Sequence, residues 1–404
     1  MPAVMTPLLF YMLLLPEAPE ELVARLQPVV AEIRGLEFKR PVAVRTATPA
    51  QARAHFAGRA KRLWPEERAR LDQRVYAQLG LLPAGFDLMA SLLDVLEEQA
   101  LGYYDPGSDV FTIVESAASS AMAPVLVVHE LTHALDDQHF DLDALLQAGD
   151  DDDRSAATAA VVEGSGTAVM SLFLLREVGA GRLTTEAVRE LHRSEAQRAQ
   201  RLVAAPPVLQ RGLLASYVLG MAFLLRGDPT RLPGGLPARD LDRAFRDPPR
   251  STEQVLHPEK YWDDAHRDDP AAVALPDLSA LLGDGWTLRG RGNLGELVLA
   301  TMAGDSALRL DAPELAQPSR WTNAAAAGTA GDVFHHYAND ERSVTLLLTR
   351  WETERDAAEF QDGLRTVPRA RSYRAGSGVV VLAGDPLGAA AERLAAQALQ
   401  AVDP

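Results

Sequence analysis

The chain has 404 residues, 47% hydrophobic and 24% charged, enough apolar material for two or three packed cores under a charged surface. A formal net charge of -16 repels phosphate backbones, and the basic residues, nearly all Arg, form no stripe, so no nucleic-acid partner is expected. The absence of Cys excludes disulfides, iron-sulfur clusters and thiolate zinc sites, and leaves His, Asp and Glu to hold any metal.

Residues 4–15 form an apolar run of the length of a signal-peptide core, although no Lys or Arg precedes it and Pro16-Glu17-Ala18 is a poor cleavage site. Export is the expectation and a cytoplasmic location the alternative. The run is too short to cross a membrane as a helix, so no integral span is expected. Residues 20 to about 26 read as helix, and 36–46 as a strand in which Leu36 and Phe38 alternate with Glu37 and Lys39. Thr48-Pro49 and Pro65-Glu66-Glu67 open two helices, and residues 86–99 are amphipathic. Residues 101–104, a turn at Asp105-Pro106-Gly107, and 110–114 read as a hairpin.

Two helical stretches follow, 123 to about 138 and 155 to about 178, joined by an acidic connection at Asp150 to Asp153 that reads as solvated. Helices are also expected over 184–203 and 207–225, and an irregular stretch over 227–276, rich in Pro, Asp and Arg. From about residue 285 the texture changes. Helices at 293–302, 356–364 and 387–401 and strands at 332–338, 343–349 and 379–382 predict a smaller α+β domain. His335 and His336 lie on one of those strands, face opposite ways, and read as ordinary strand residues.

The chemistry is carried by His129-Glu130-Leu131-Thr132-His133. Two imidazoles four residues apart share one face of a helix and can hold one ion. Glu130, beside the first, is then placed to take a proton from zinc-bound water and return it to the leaving amine. Val125 to Val128 before the motif, and Leu131, Ala134 and Leu135 within it, predict a buried helix, where two His and a Glu are costly unless they serve a site. The stretch 156–170 is small and apolar except for Glu163, and a lone carboxylate there needs a cation. A zinc ion held by His129, His133 and Glu163 would supply it. The competing third ligand is His139, six residues after His133 as in metzincins, with Met170 as the downstream methionine. That arrangement needs a chain reversal normally given by Gly where Asp136 stands, so Glu163 is the expected ligand.

The motif region, Glu163-Gly164, Gly102 to Pro106 and Ser251 to Tyr261 together resemble a group of bacterial zinc metallopeptidases of gluzincin type, over about residues 35–360. The resemblance implies zinc bound by His129, His133 and Glu163, catalysis by Glu130, and an export signal. Such enzymes often carry an acid four residues after the ligand Glu; here Thr167 stands there. The resemblance also suggests a substrate peptide laid on an edge strand, with residues 110–114 the candidate. Tyr217, His257 and Tyr261 are the candidates for stabilising an oxyanion, with His257 the tentative catalytic residue.

The expected whole is an α+β chain. A possible signal or apolar segment at 1–18 leads into a mostly helical, zincin-like catalytic domain with a small sheet at 19–283, and then the smaller α+β domain at 284–404. The expected function is Zn2+-dependent hydrolysis of a peptide or protein substrate; the alternative is a non-catalytic binding protein that keeps the zincin fold.

Overall fold

A computed structural model of the chain describes residues 18–402 apart from 100, 116–122, 148–150, 185, 187, 190–192, 194–198, 305–312, 365–366 and 368–369. The fold is α+β, with helices around a three-stranded sheet followed by a five-stranded antiparallel sheet covered by helices. The apolar run at 4–15 lies outside the described residues.

Helix Pro19–Arg34 continues past the expected stop near residue 26 and carries Pro28 within it. Leu22, Val23, Leu26, Val30 and Ile33 bury one face, and that burial outweighs the one backbone bond a proline removes. Gly35, at φ 77°, ends the helix in the left-handed conformation that glycine adopts cheaply. The strand expected over 36–46 shrinks to β1, Ala43–Ala47. Leu36 and Phe38 pack onto the core from a loop, and the Gln138 side chain, not a neighbouring strand, accepts from the amides of Lys39 and Arg40.

The hairpin forms as β2, Gly102–Asp105, and β3, Val110–Val114. β1 adds parallel to β3, giving the order β1-β3-β2. Val110–Val114 is therefore the central strand and not the free edge expected for substrate. Its fully buried Phe111 and Ile113 are what an inner strand requires. The edges are β1 and β2, and β2 lies against the motif helix, Ala123–Phe140.

The second long helix, Asp152–Gly179, is capped by Asp151, whose side chain accepts from the Arg154 amide. Asp152 and Asp153 thus form its first turn, where carboxylates suit the helix dipole, instead of a solvated loop. Helix Pro207–Leu224 packs along it. Both are long and apolar enough to cross a membrane by length and composition, and 67% and 44% of their most apolar windows are buried within the protein. Half of the residues of the helix expected over 184–203 lie outside the described residues; of the others, 186, 188, 189 and 193 are helical, as is Gln200–Ala204. The stretch expected to be irregular holds helices Ala238–Arg246, Thr252–Leu256 and Glu259–Trp262. Leu241, Ala244 and Phe245 give the first of these a buried stripe that its Arg and Asp residues mask in the sequence.

The C-terminal sheet has the order β4-β5-β6-β8-β7, with β4 Thr287–Gly292, β5 Thr329–Ala338, β6 Ser343–Trp351, β7 Arg371–Ala375 and β8 Gly378–Gly384. Period-two alternation divides its faces. Leu347, Val379 and Val381 meet helix Glu354–Gly363 through Phe360, in a core shared with Val75 of helix Glu66–Gln78 and with Leu79 just past its end. Leu346, Leu348 and Val380 meet Leu394 and Ala398 of helix Ala390–Leu399 on the other face. The edge strands β4 and β7 carry two Arg each, Arg289 and Arg291 on the first and Arg371 and Arg374 on the second, and lack the apolar run that marks the inner strands, which is why they are not visible as strands in the sequence.

Candidate metal centre

Residues 129 and 133 share a helix face by the 3.6-residue period, and Glu163 arrives from the neighbouring long helix. His129 Nε2 and His133 Nε2 are 3.0 Å apart, and Glu163 Oε2 lies 3.2 Å from the first and 3.3 Å from the second. Donor atoms bonded to one tetrahedral zinc at about 2.0–2.1 Å stand roughly 3.3 Å from each other, so the three present the edges of such a site. The donor set, two imidazole nitrogens and a carboxylate oxygen, is also the type zinc prefers. The residues therefore fit a zinc ion.

The electrostatics of the cluster ask for positive charge. Burial pushes Glu163 toward protonation, but His133 and His129 overcome it and hold its pKa well below the usual carboxylate range. Burial lowers His133, and the adjacent Glu163 more than reverses this, raising it to about 9. Desolvation dominates at Glu130 and raises it, against the lowering pull of both imidazoles. Its Oε2 accepts a 2.6 Å bond from the Tyr104 amide on β2, and the Tyr104 hydroxyl bonds Asp137 Oδ2 at 2.8 Å. Tyr104 thus fixes β2 to the motif helix at two points, Glu130 and Asp137, about two helical turns apart. Gly102 permits the approach: a Cβ there would stand 3.0 Å from Thr112 O and 3.1 Å from Leu126 Cδ2.

Two further glycines serve the site. A Cβ on Gly166 would stand 2.7 Å from His129 Cε1, so only glycine leaves room for that ring. A Cβ on Gly164 would stand 2.3 Å from the Gly220 carbonyl carbon, so the two long helices touch backbone to backbone. Tyr217, on helix Pro207–Leu224, stacks on His129 with ring centroids 5.8 Å apart, and the charge of Glu163 raises its pKa.

The other sequence candidates lie elsewhere. His257 Nε2 bonds Glu296 Oε1 at 3.0 Å, and Thr322 donates to the same oxygen. The Tyr261 hydroxyl donates to Asp247 O, and its ring packs against Phe223 and Trp262 in the core. His139 Nε2 lies 2.8 Å from Glu37 O, and Met170 packs on the core as a partly buried hydrophobe. Thr167 donates to the Glu163 carbonyl, a bond within its own helix. His335 and His336 are buried on the two faces of the C-terminal sheet, near Tyr337 and Thr345 respectively. The Tyr104 amide and the buried ion pair of Arg34 with Asp136 carry no local sequence signal, whereas Gly166, like Gly164, breaks an otherwise helical apolar run.

Residues 286–396 match the family DUF8575, a domain of unknown function. No curated protein and no solved structure matches the chain.

Proposed function

We propose that the chain is a zinc-dependent peptidase in which His129, His133 and Glu163 hold the metal and Glu130 is the general base. The observation that carries the reading is the convergence of three donor atoms from two helices at 3.0–3.3 Å, with no Lys or Arg ion pair to any of them among the described residues. When bound, zinc supplies an acidified water and an electrophile for the scissile carbonyl. Glu130 Oε2 is held by the Tyr104 amide, which orients the carboxylate and leaves Oε1 to accept a proton and pass it to the leaving amine. The Tyr217 hydroxyl, on the ring stacked over His129, is the donor for charge that develops on the carbonyl oxygen. β2 is an edge strand whose Tyr104 amide is committed to the base, and its remaining outward backbone groups would pair with an extended peptide, so binding would depend little on sequence.

A fluorogenic casein assay with and without a chelator tests this reading. Chelator-sensitive turnover restored by Zn2+ is expected. Absent or chelator-insensitive turnover from zinc-loaded protein would favour a binding protein that keeps the fold.

A further inference from the structure

The backbone contact of Gly164 with Gly220 lets the long helices approach, but a smooth small-residue surface does not fix their positions. A separate cluster joins the two ligand-bearing helices directly. Asp136 lies one turn after His133 and Ser165 lies two residues after Glu163. Asp136 Oδ2 accepts a 2.6 Å bond from Ser165 Oγ, and its Oδ1 accepts a 2.8 Å bond from Arg34 Nε. Arg34 continues to Asp242 Oδ1 at 3.1 Å, and its guanidinium lies over the rings of Phe140 and Phe245, which stack at 4.7 Å. Arg34, Asp136 and Ser165 are all 0% exposed.

We propose that Arg34, Asp136 and Ser165 are positioning residues: a buried clamp that sets the separation of the motif helix from the Glu163 helix and so tunes the affinity of the site for its metal. The inference rests on the zinc reading above. A buried ion pair adds little net stability compared with apolar packing, so stability alone is a poor reason for this one. What it supplies is direction. Hydrogen bonds weaken with displacement and steeply with misalignment, whereas apolar contacts slide, and the three metal donors need placement to within about half an ångström. The clamp fixes the helices one turn from those donors without touching them.

The test compares wild type, Ser165→Ala, Asp136→Asn and Thr158→Ala. Thr158 is a control on the same helix, buried and, among the described residues, bonded through its side chain only to the Arg154 carbonyl. Zinc affinity is measured by competition with a chromophoric chelator, and the geometry of the site by the visible spectrum of the Co2+ form, which a merely structural loss would leave unchanged. Ser165→Ala should bind zinc about tenfold to a hundredfold more weakly with altered Co2+ bands, and Thr158→Ala should match wild type. Asp136→Asn should be weaker again. If it fails to fold, Ser165→Ala decides, because it leaves the ion pair intact. Wild-type affinity and a superimposable Co2+ spectrum for Ser165→Ala would overturn the clamp while leaving the zinc reading standing. A wild-type chain that takes up no zinc would overturn both.

Discussion

Two clusters of metal-ligating residues stand out among the described residues, and they differ in what occupies their centre. Glu253, Asp268 and Glu352 surround the Lys260 ammonium, which lies 2.8 Å from Glu253 and 3.0 Å from Asp268 and also pairs with Glu352. His129, His133 and Glu163 converge equally closely with no Lys or Arg paired to them. The first cluster carries its own cation and reads as a structural joint. The second has the donors and no paired Lys or Arg among the described residues; the positive charge that Glu163 draws onto His133 in the metal-free chain is one that a bound metal ion would replace. Proximity of acidic groups is therefore a weak sign of metal binding until the resident positive charge has been looked for.

The contrast can be broken most sharply at Glu130. Glu130→Gln keeps the shape and the Tyr104 bond but removes the proton acceptor, so hydrolysis should fall about a thousandfold or more with zinc content unchanged. Near wild-type turnover would show that another group is the base. Tyr217→Phe should lower kcat by roughly a hundredfold with little effect on zinc, as the loss of one oxyanion donor does. An effect confined to KM would make Tyr217 a binding residue instead.

At the other cluster the expected effect is on folding. Lys260→Met leaves Glu253 buried without its partner and should cost about 2–3 kcal/mol, at the low end for a buried pair because Asp268 and Glu352 are 45% and 42% exposed. Zinc affinity should not change, and a variant that lost zinc in a denaturation-controlled titration would join the two clusters.

Buried carboxylates predict a pH trend. Burial raises Asp153 to about 8 and Glu253 to about 7, the latter against the lowering influence of Lys260, and raises Asp332 to about 6. A carboxylate raised in the folded state costs nothing below its unfolded pKa near 4, and its ionisation penalises the fold increasingly up to the folded pKa. Stability of the metal-free protein should therefore fall as pH rises from about 4 to 8. Thermal melts across that window check the sign; a Tm that climbed with pH would mean these groups are better compensated than their burial implies.

The residues of the candidate site were legible because metal ligation would demand particular side chains at particular spacings. His129, Glu130 and His133 share one helix turn, and Glu163 is conspicuous as the sole carboxylate in an apolar run. The inner strands β5, β6 and β8 were legible from their apolar content; the edges β4 and β7 were not. What escaped depends on long-range pairing. The central position of β3 follows from β1, more than sixty residues earlier, adding parallel to it, and the partnership of Arg34 with Asp136 spans 102 residues with no local pattern. The length of helix Pro19–Arg34 escaped because Pro28 is a local stop signal that tertiary burial overrides.

The measurement that tests the account most directly is the metal content of purified wild type, His129→Ala, Glu163→Ala and His139→Ala. About one zinc per wild-type chain is expected, lost in His129→Ala, strongly reduced in Glu163→Ala and retained in His139→Ala, whose ring bonds the Glu37 carbonyl. A wild-type chain without zinc, or one that loses it with His139 and keeps it without Glu163, would contradict the assignment.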